Sequence, residues 1–186
     1  PRVFQQTVNT YYVAAGIDGS FSVGGHDIYW DLTAIFSEND ATQIKRGAFN
    51  AQNISVALGP AAACDATPGC VPFAWVGPDT MSPEMLDFVT FVQKDASNQK
   101  LNDYTFNMTG QFGGFSAGQI GWAAGYEYRE QDGTFVPDSI VSSGFTAGVP
   151  AQPTDGGFDV NEFYAEFIVP VWRGDGGERF DISASG

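Results

Sequence analysis

Ile120-Gly121-Trp122-Ala123-Ala124-Gly125-Tyr126-Glu127-Tyr128-Arg129 is the stretch on which the fold turns. Its large side chains fall on even positions, Ile120, Trp122, Tyr126 and Tyr128, with Ala124 between them. The odd positions carry Gly121, Ala123, Gly125, Glu127 and Arg129. Successive side chains of a strand point to opposite faces, so one face here is aromatic and apolar and the other small and charged. A soluble sheet with one packed face reads this way, and so does a strand with lipid on one side and a wet interior on the other.

The same period recurs on both sides of this stretch. Tyr11, Val13, Ala15, Ile17 and Phe21 alternate with Thr10, Tyr12, Ala14, Asp18 and Ser20. Trp30, Leu32, Ala34 and Phe36 alternate with Asp31, Thr33, Ile35 and Ser37. Tyr104, Phe106, Met108, Gly110 and Phe112 oppose Asp103, Thr105, Asn107, Thr109 and Gln111. Phe163, Ala165, Phe167, Val169 and Val171 oppose Glu162, Tyr164, Glu166, Ile168 and Pro170. Phe180, Ile182 and Ala184 end the series. These patterns predict strands over about 8–22, 27–39, 101–113, 119–132, 159–172 and 178–186.

The connections decide between the two environments. Val23-Gly24-Gly25-His26, Gly113 to Gly118 and Arg173 to Glu178 are short turn signals. About 40–100 and 133–158 are long. Alternating short and long connections put all the turns of a meander at one end and all the loops at the other, as transmembrane β-barrels do. The predicted strands are long enough for a tilted membrane crossing. Aromatic residues near the strand ends, Trp30, Tyr104, Phe112, Trp122, Tyr128, Phe163 and Trp172, suit interfacial girdles. The expected fold is therefore all-β: an antiparallel up-and-down meander of about six strands, part of a large transmembrane β-barrel. Its long external loop carries a short helix, signalled by Ser82-Pro83-Glu84 and the spacing of Met85, Leu86, Val89 and Val92 up to about Lys94. Asn50 to Ala63 suggests a further helical turn ended by Gly59-Pro60. About six strands are too few to close a membrane barrel, so other strands would complete the wall.

Composition narrows the function. The 186 residues include 23 Gly and 15% aromatic residues, which favours β structure with tight turns. Only 8 Lys+Arg stand against 22 Asp+Glu, for a net charge of -14. That balance argues against a nucleic-acid partner. Cys64 and Cys70 flank Thr67-Pro68-Gly69, a turn that folds the segment back, and a local disulfide is expected. The one histidine, His26, lies in a glycine turn far from both, so no metal site or cofactor is expected. No His-paired nucleophile and no phosphate loop appears, so the chain does not read as an enzyme.

Gly121 to Glu130, Pro137-Asp138 and Gly157 to Pro170 together resemble the barrel of a TonB-dependent outer-membrane receptor. Lys45 to Asn50, Gly69 to Pro72, Met85 to Asp87 and Leu101 to Tyr104 are similar to that family in the same order. The resemblance implies a 22-stranded barrel around an N-terminal plug in the outer membrane of a Gram-negative bacterium. It implies uptake of a scarce solute (an iron chelate, a vitamin or a saccharide) driven by the inner-membrane TonB complex. No plug, TonB-contacting box or terminal aromatic strand end is seen, so an internal barrel segment is expected. The remaining strands and plug, lipid and a small-molecule solute would be its partners. On that reading Asp31, Asp103, Glu127, Arg129, Glu162 and Glu166 face the lumen, and Phe73, Trp75 and Asp79 in the first loop are candidate solute contacts. The alternative is a soluble, secreted β-sandwich that binds saccharide through its aromatic residues.

Overall fold

The structure is a computed structural model that describes residues 2–73 and 81–186. Six strands form one antiparallel sheet in simple meander order: β1 (Val3–Val23), β2 (His26–Phe49), β3 (Thr90–Phe115), β4 (Gly118–Val136), β5 (Thr154–Arg173) and β6 (Arg179–Ser185). The sheet is not a closed barrel. Among the described residues four short helices lie in the connections: α1 (Ala51–Leu58), α2 (Ala61–Asp65), α3 (Pro83–Val89) and α4 (Ser139–Ser142). No helix among the described residues is long and apolar enough to cross a membrane.

The hairpin turns follow from their glycines. β1 and β2 are joined by Gly24 and Gly25 alone, at φ 61° and 80°. Two successive positive φ values match the right-handed twist of the flanking strands, and only glycine adopts them at little cost. Ser116 and Ala117 join β3 to β4, and residues 174–178 join β5 to β6.

The strands run further than their alternation predicts. β2 continues ten residues beyond the expected end at 39, and β3 begins at Thr90 rather than about 101. The expected helix up to Lys94 therefore stops at Val89, where β3 takes over. Ser82 caps it as expected, its hydroxyl accepting from the Met85 amide at 3.3 Å. The helical turn expected over Asn50 to Ala63 is two helices, α1 and α2, separated by Gly59-Pro60.

Two compact units divide the chain. Unit 1 comprises Pro1–Thr10, Asn39–Gln99 and Gly133–Gly156; unit 2 comprises Tyr11–Glu38, Lys100–Asp132 and Gly157–Gly186. Unit 1 holds most of the buried apolar side chains: Ala48, Ala57, Cys64, Val89 and Val141. Asn50 ties its segments together. The Asn50 side chain accepts from Asn53 N–H at 3.1 Å and so caps α1, while the Asn50 N–H donates to Val89 O at 2.9 Å. Asn50 also bridges Thr146, and the Asn53 amide donates to Phe88 O at 2.7 Å. A second knot joins 93–95 to 137–140. Asp95, 8% exposed, accepts from the Asp138 N–H (2.9 Å) and the Gln93 amide (2.7 Å). Asp138 in turn accepts from Lys94 N–H (3.0 Å) and from Ile140 N–H (2.9 Å), capping α4. Cys64 and Cys70 form the expected disulfide.

Unit 2 is a stretch of sheet with little covering it. Phe106, Phe112, Phe163, Phe167, Trp172, Phe180 and Ile182 are all exposed, Phe163 by 78%.

Candidate functional site: the two faces of the sheet in unit 2

Contacts between neighbouring strands show which alternating residues share a face. On one face Phe36 meets Tyr104 edge-on at 5.7 Å, Tyr104 stacks on Tyr128 at 6.3 Å, and Tyr126 packs on Phe163 at 4.7 Å. Toward the hairpin turns, the Trp30 and Trp122 indoles lie over Gly19 and Gly110, where an added Cβ would stand 2.9 Å and 2.8 Å from the rings. This is the face that the alternation marks as apolar. Trp122 and Tyr128 are six residues apart, about 20 Å along a strand, and Tyr104 and Phe112 about 27 Å. Beyond the outer aromatic row the same face turns polar at once. Lys100 pairs with Glu38 at 3.4 Å, and the Asn102 amide donates to Glu130 at 3.3 Å.

Trp172 reaches this face through an irregularity that the alternation misses. Counting from Phe163 puts Val171 on the apolar face and Trp172 on the other. In the structure Val169 pairs with Ile182 but Trp172 pairs with Phe180, and the register skips Val171. Cross-strand partners share a face, so the bulge brings Trp172 round beside Phe180 and Ile182. Pro170 sits at this irregularity, where its missing N–H is tolerated.

The opposite face carries the polar candidates. Asn107 Nδ2 donates to Asp31 Oδ2 at 2.7 Å, and the Tyr164 hydroxyl donates to Asn107 Oδ1 at 2.9 Å. This chain crosses from β5 to β2 over Gly125 of β4. A Cβ on Gly125 would run into the Tyr164 ring and stand 2.7 Å from Asn107 Oδ1. Arg129 pairs with Glu127 at 3.2 Å. The register that sets Asn107 against Gly125 and Tyr104 against Tyr128 also sets Asp103 across from Arg129. Likewise the pairs Gly125–Tyr164 and Tyr126–Phe163 set Glu127 across from Glu162. The Asp103 Oδ1 atom is buried without a hydrogen-bond partner. Glu166 lies apart, in a depression of about 550 Å³ near the turns with His26, Asp27, Tyr29, Gln111 and Gln119. Asp31, Asp103, Glu127, Arg129, Glu162 and Glu166 thus share one face, and the first five lie within a few rungs of one another.

No family model matches this chain, and no curated protein matches it. Its chemistry is therefore read from the residues alone. Among the described residues no group of three or more His, Cys, Asp or Glu side chains is placed to hold a metal ion. The polar face offers carboxylates, the guanidinium groups of Arg129, Arg173 and Arg179, side-chain amides and the Tyr164 hydroxyl, a set able to exchange hydrogen bonds with polar groups.

The loop candidates fare differently. Phe73 is half-buried and its N–H donates to Ala57 O at 2.9 Å, which fastens the segment after the disulfide to α1. Trp75 and Asp79 lie outside the described residues. Gly125, Tyr164 and Asn107 were absent from the expected site. Their signal was a large aromatic residue, Tyr164, between Glu162 and Glu166 on one face, with a glycine, Gly125, on the neighbouring strand.

Proposed function

We propose that the chain is a section of the wall of a large transmembrane β-barrel, of the TonB-dependent outer-membrane transporter type that its motifs resemble. In this reading it helps carry a scarce small-molecule solute across the outer membrane. One observation carries the reading: an apolar band, edged by aromatic rings, lies uncovered on one sheet face and gives way abruptly to Glu38–Lys100 and Asn102–Glu130. Barrel strands tilted by about 35–45° turn the roughly 20–27 Å expected from the strand rise into a somewhat smaller height. The reach of the rings at both margins restores it to about the 25 Å of an outer-membrane apolar band.

Two further points support it. A sheet of six strands leaves β1 and β6 with one neighbour each, and unpaired backbone groups cost several kcal/mol apiece in lipid. A closed wall needs eight strands or more, so further strands pair with β1 and β6. The long connections, meanwhile, hold their own small core, disulfide and capped helices. Long structured loops of this kind are characteristically functional, and here they would form the external solute-capturing surface.

The test is face-selective labelling in outer membranes. Single cysteines replace Tyr126 and Phe163 on one face, or Glu127 and Glu162 on the other. A small hydrophilic maleimide should modify the last two and spare the first two, and a lipid-soluble maleimide should show the reverse preference. Equal hydrophilic labelling of all four, in protein recovered from the aqueous fraction, would instead favour a soluble saccharide-binding module.

A further inference from the structure

The hydrogen-bonded chain from Tyr164 to Asp31 does more than a hydrated wall requires. We propose that Tyr164, Asn107, Asp31, Glu127 and Glu162 form a subsite for a neutral saccharide. This rests on reading their face as the lumen side of the barrel.

A sugar ring presents C–H groups on its faces and hydroxyls around its rim. It is held by a fixed aromatic platform with hydrogen-bonding groups set beside it. Tyr164 is fixed at both ends, by its strand and by its hydroxyl on Asn107. Gly125 lets it lie against the backbone of β4, yet the residue remains 45% exposed. The Tyr164 and Asp31 bonds also fix which way the Asn107 amide points. A depression of about 460 Å³ includes Tyr164 and Asn107, with Thr105, Glu127 and Glu162 also on its lining and Tyr126 and Phe163 of the aromatic face at its edge; Asp31 adjoins it only through its bond to Asn107. That volume falls within the range of small-molecule sites.

Charge selects the class of solute. Carboxylates accept strong hydrogen bonds from hydroxyl groups and repel anions. Of the nearby guanidinium groups Arg129 is already engaged by Glu127, which leaves Asp31 and Glu162 with no ion pair of their own to a cation among the described residues. Anionic chelates and phosphorylated solutes are disfavoured there, whereas uncharged polyols supply the donors that the carboxylates accept.

The test uses the protein purified in detergent and an array of neutral glycans, followed by calorimetry on those retained. At least one glycan class should bind. Tyr164→Ala should weaken it tenfold or more, and Asn107→Ala by a similar factor. Tyr164→Phe, which keeps the platform and loses its anchor, should fall between wild type and Tyr164→Ala. Retention of no glycan by the folded protein overturns the proposal, as does an affinity that Tyr164→Ala leaves unchanged. Competition by spermidine at equal or lower concentration also overturns it, because the site is then one for cations. Tryptophan quenching by brominated detergent, read on the same samples, separates the two claims. Quenching without glycan binding removes the subsite and leaves the wall. Tyr164-dependent glycan binding by a protein that needs no detergent keeps the subsite and removes the wall.

Discussion

At the scale of single residues, Gly125 and Tyr164 are one device. Glycine normally weakens a strand, having no side chain to pack. Here the missing side chain is the space that the Tyr164 ring occupies. Gly125→Ala should therefore cost about 1–3 kcal/mol, as overpacking does. The same change in a Tyr164→Ala background should cost much less, because the clash has gone. A double-mutant cycle on the thermal unfolding of the detergent-folded protein measures the coupling. Ser82 offers a second test at this scale. Its hydroxyl holds the exposed Glu84 carboxyl below the ordinary glutamate value of 4.5, assisted by a backbone hydrogen bond. A lowered folded-state pKa gives stability that is present above the ordinary value and lost as pH falls through the lowered one. Protection of α3 amides from hydrogen exchange should accordingly decline on the acid side of that value. Ser82→Ala should remove about 1 kcal/mol of local stability at neutral pH by deleting the cap, and should flatten this acid decline.

At the scale of elements, the two aspartates of unit 1 hold β3 to the segment before α4 by exchanging backbone hydrogen bonds. Asp95→Ala leaves the Asp138 N–H without its acceptor, and a lost bond to a buried charged group costs about 1.5–3 kcal/mol. Limited proteolysis around 137–153 should become faster, while exchange of the unit 2 strands stays unchanged. The Cys64–Cys70 disulfide closes only a short loop, and its reduction should cost about 2–3 kcal/mol, read as faster exchange in α2 alone. These elements also show what the sequence could reveal. The six strands and three turns were legible because a two-residue period and paired glycines report local geometry. The outer halves of β2 and β3 were not, because alternation reports a difference between two environments. Past Glu38 and Lys100 both faces carry polar groups, so the strands continue while the pattern stops. The Val171 bulge was hidden for a related reason: a one-residue skip appears only when the partner strand is in place. Of the site, the faces of Asp31, Glu127 and Arg129 were readable from parity, but the Tyr164–Asn107–Asp31 chain depends on a register between strands distant in sequence.

At the scale of the whole molecule, the indoles are reporters already in position. Trp30 and Trp122 lie over glycines at the turn end of the apolar band, and the bulge places Trp172 on the same face. Indoles favour the interface between hydrocarbon and headgroups, where the ring is buried and the N–H stays near water. If the band meets lipid, these three belong near one margin of the membrane rather than at its centre. With Trp75 replaced by phenylalanine, emission reports on them alone. Reconstituted into bilayers whose acyl chains carry bromine at shallow or deep carbons, the protein should be quenched by both and more strongly by the shallow label. Moving one reporter inward makes the reading quantitative: Phe106→Trp on a Trp122→Phe background shifts an indole toward mid-band and should reverse that preference for its share of the emission. Placing the reporter at Asn107 instead turns it to the opposite face, where neither label should reach it. Equal quenching at positions 106 and 107 would mean that the two faces do not differ in environment. The alternation that organises this sheet would then need a protein partner rather than a bilayer to explain it.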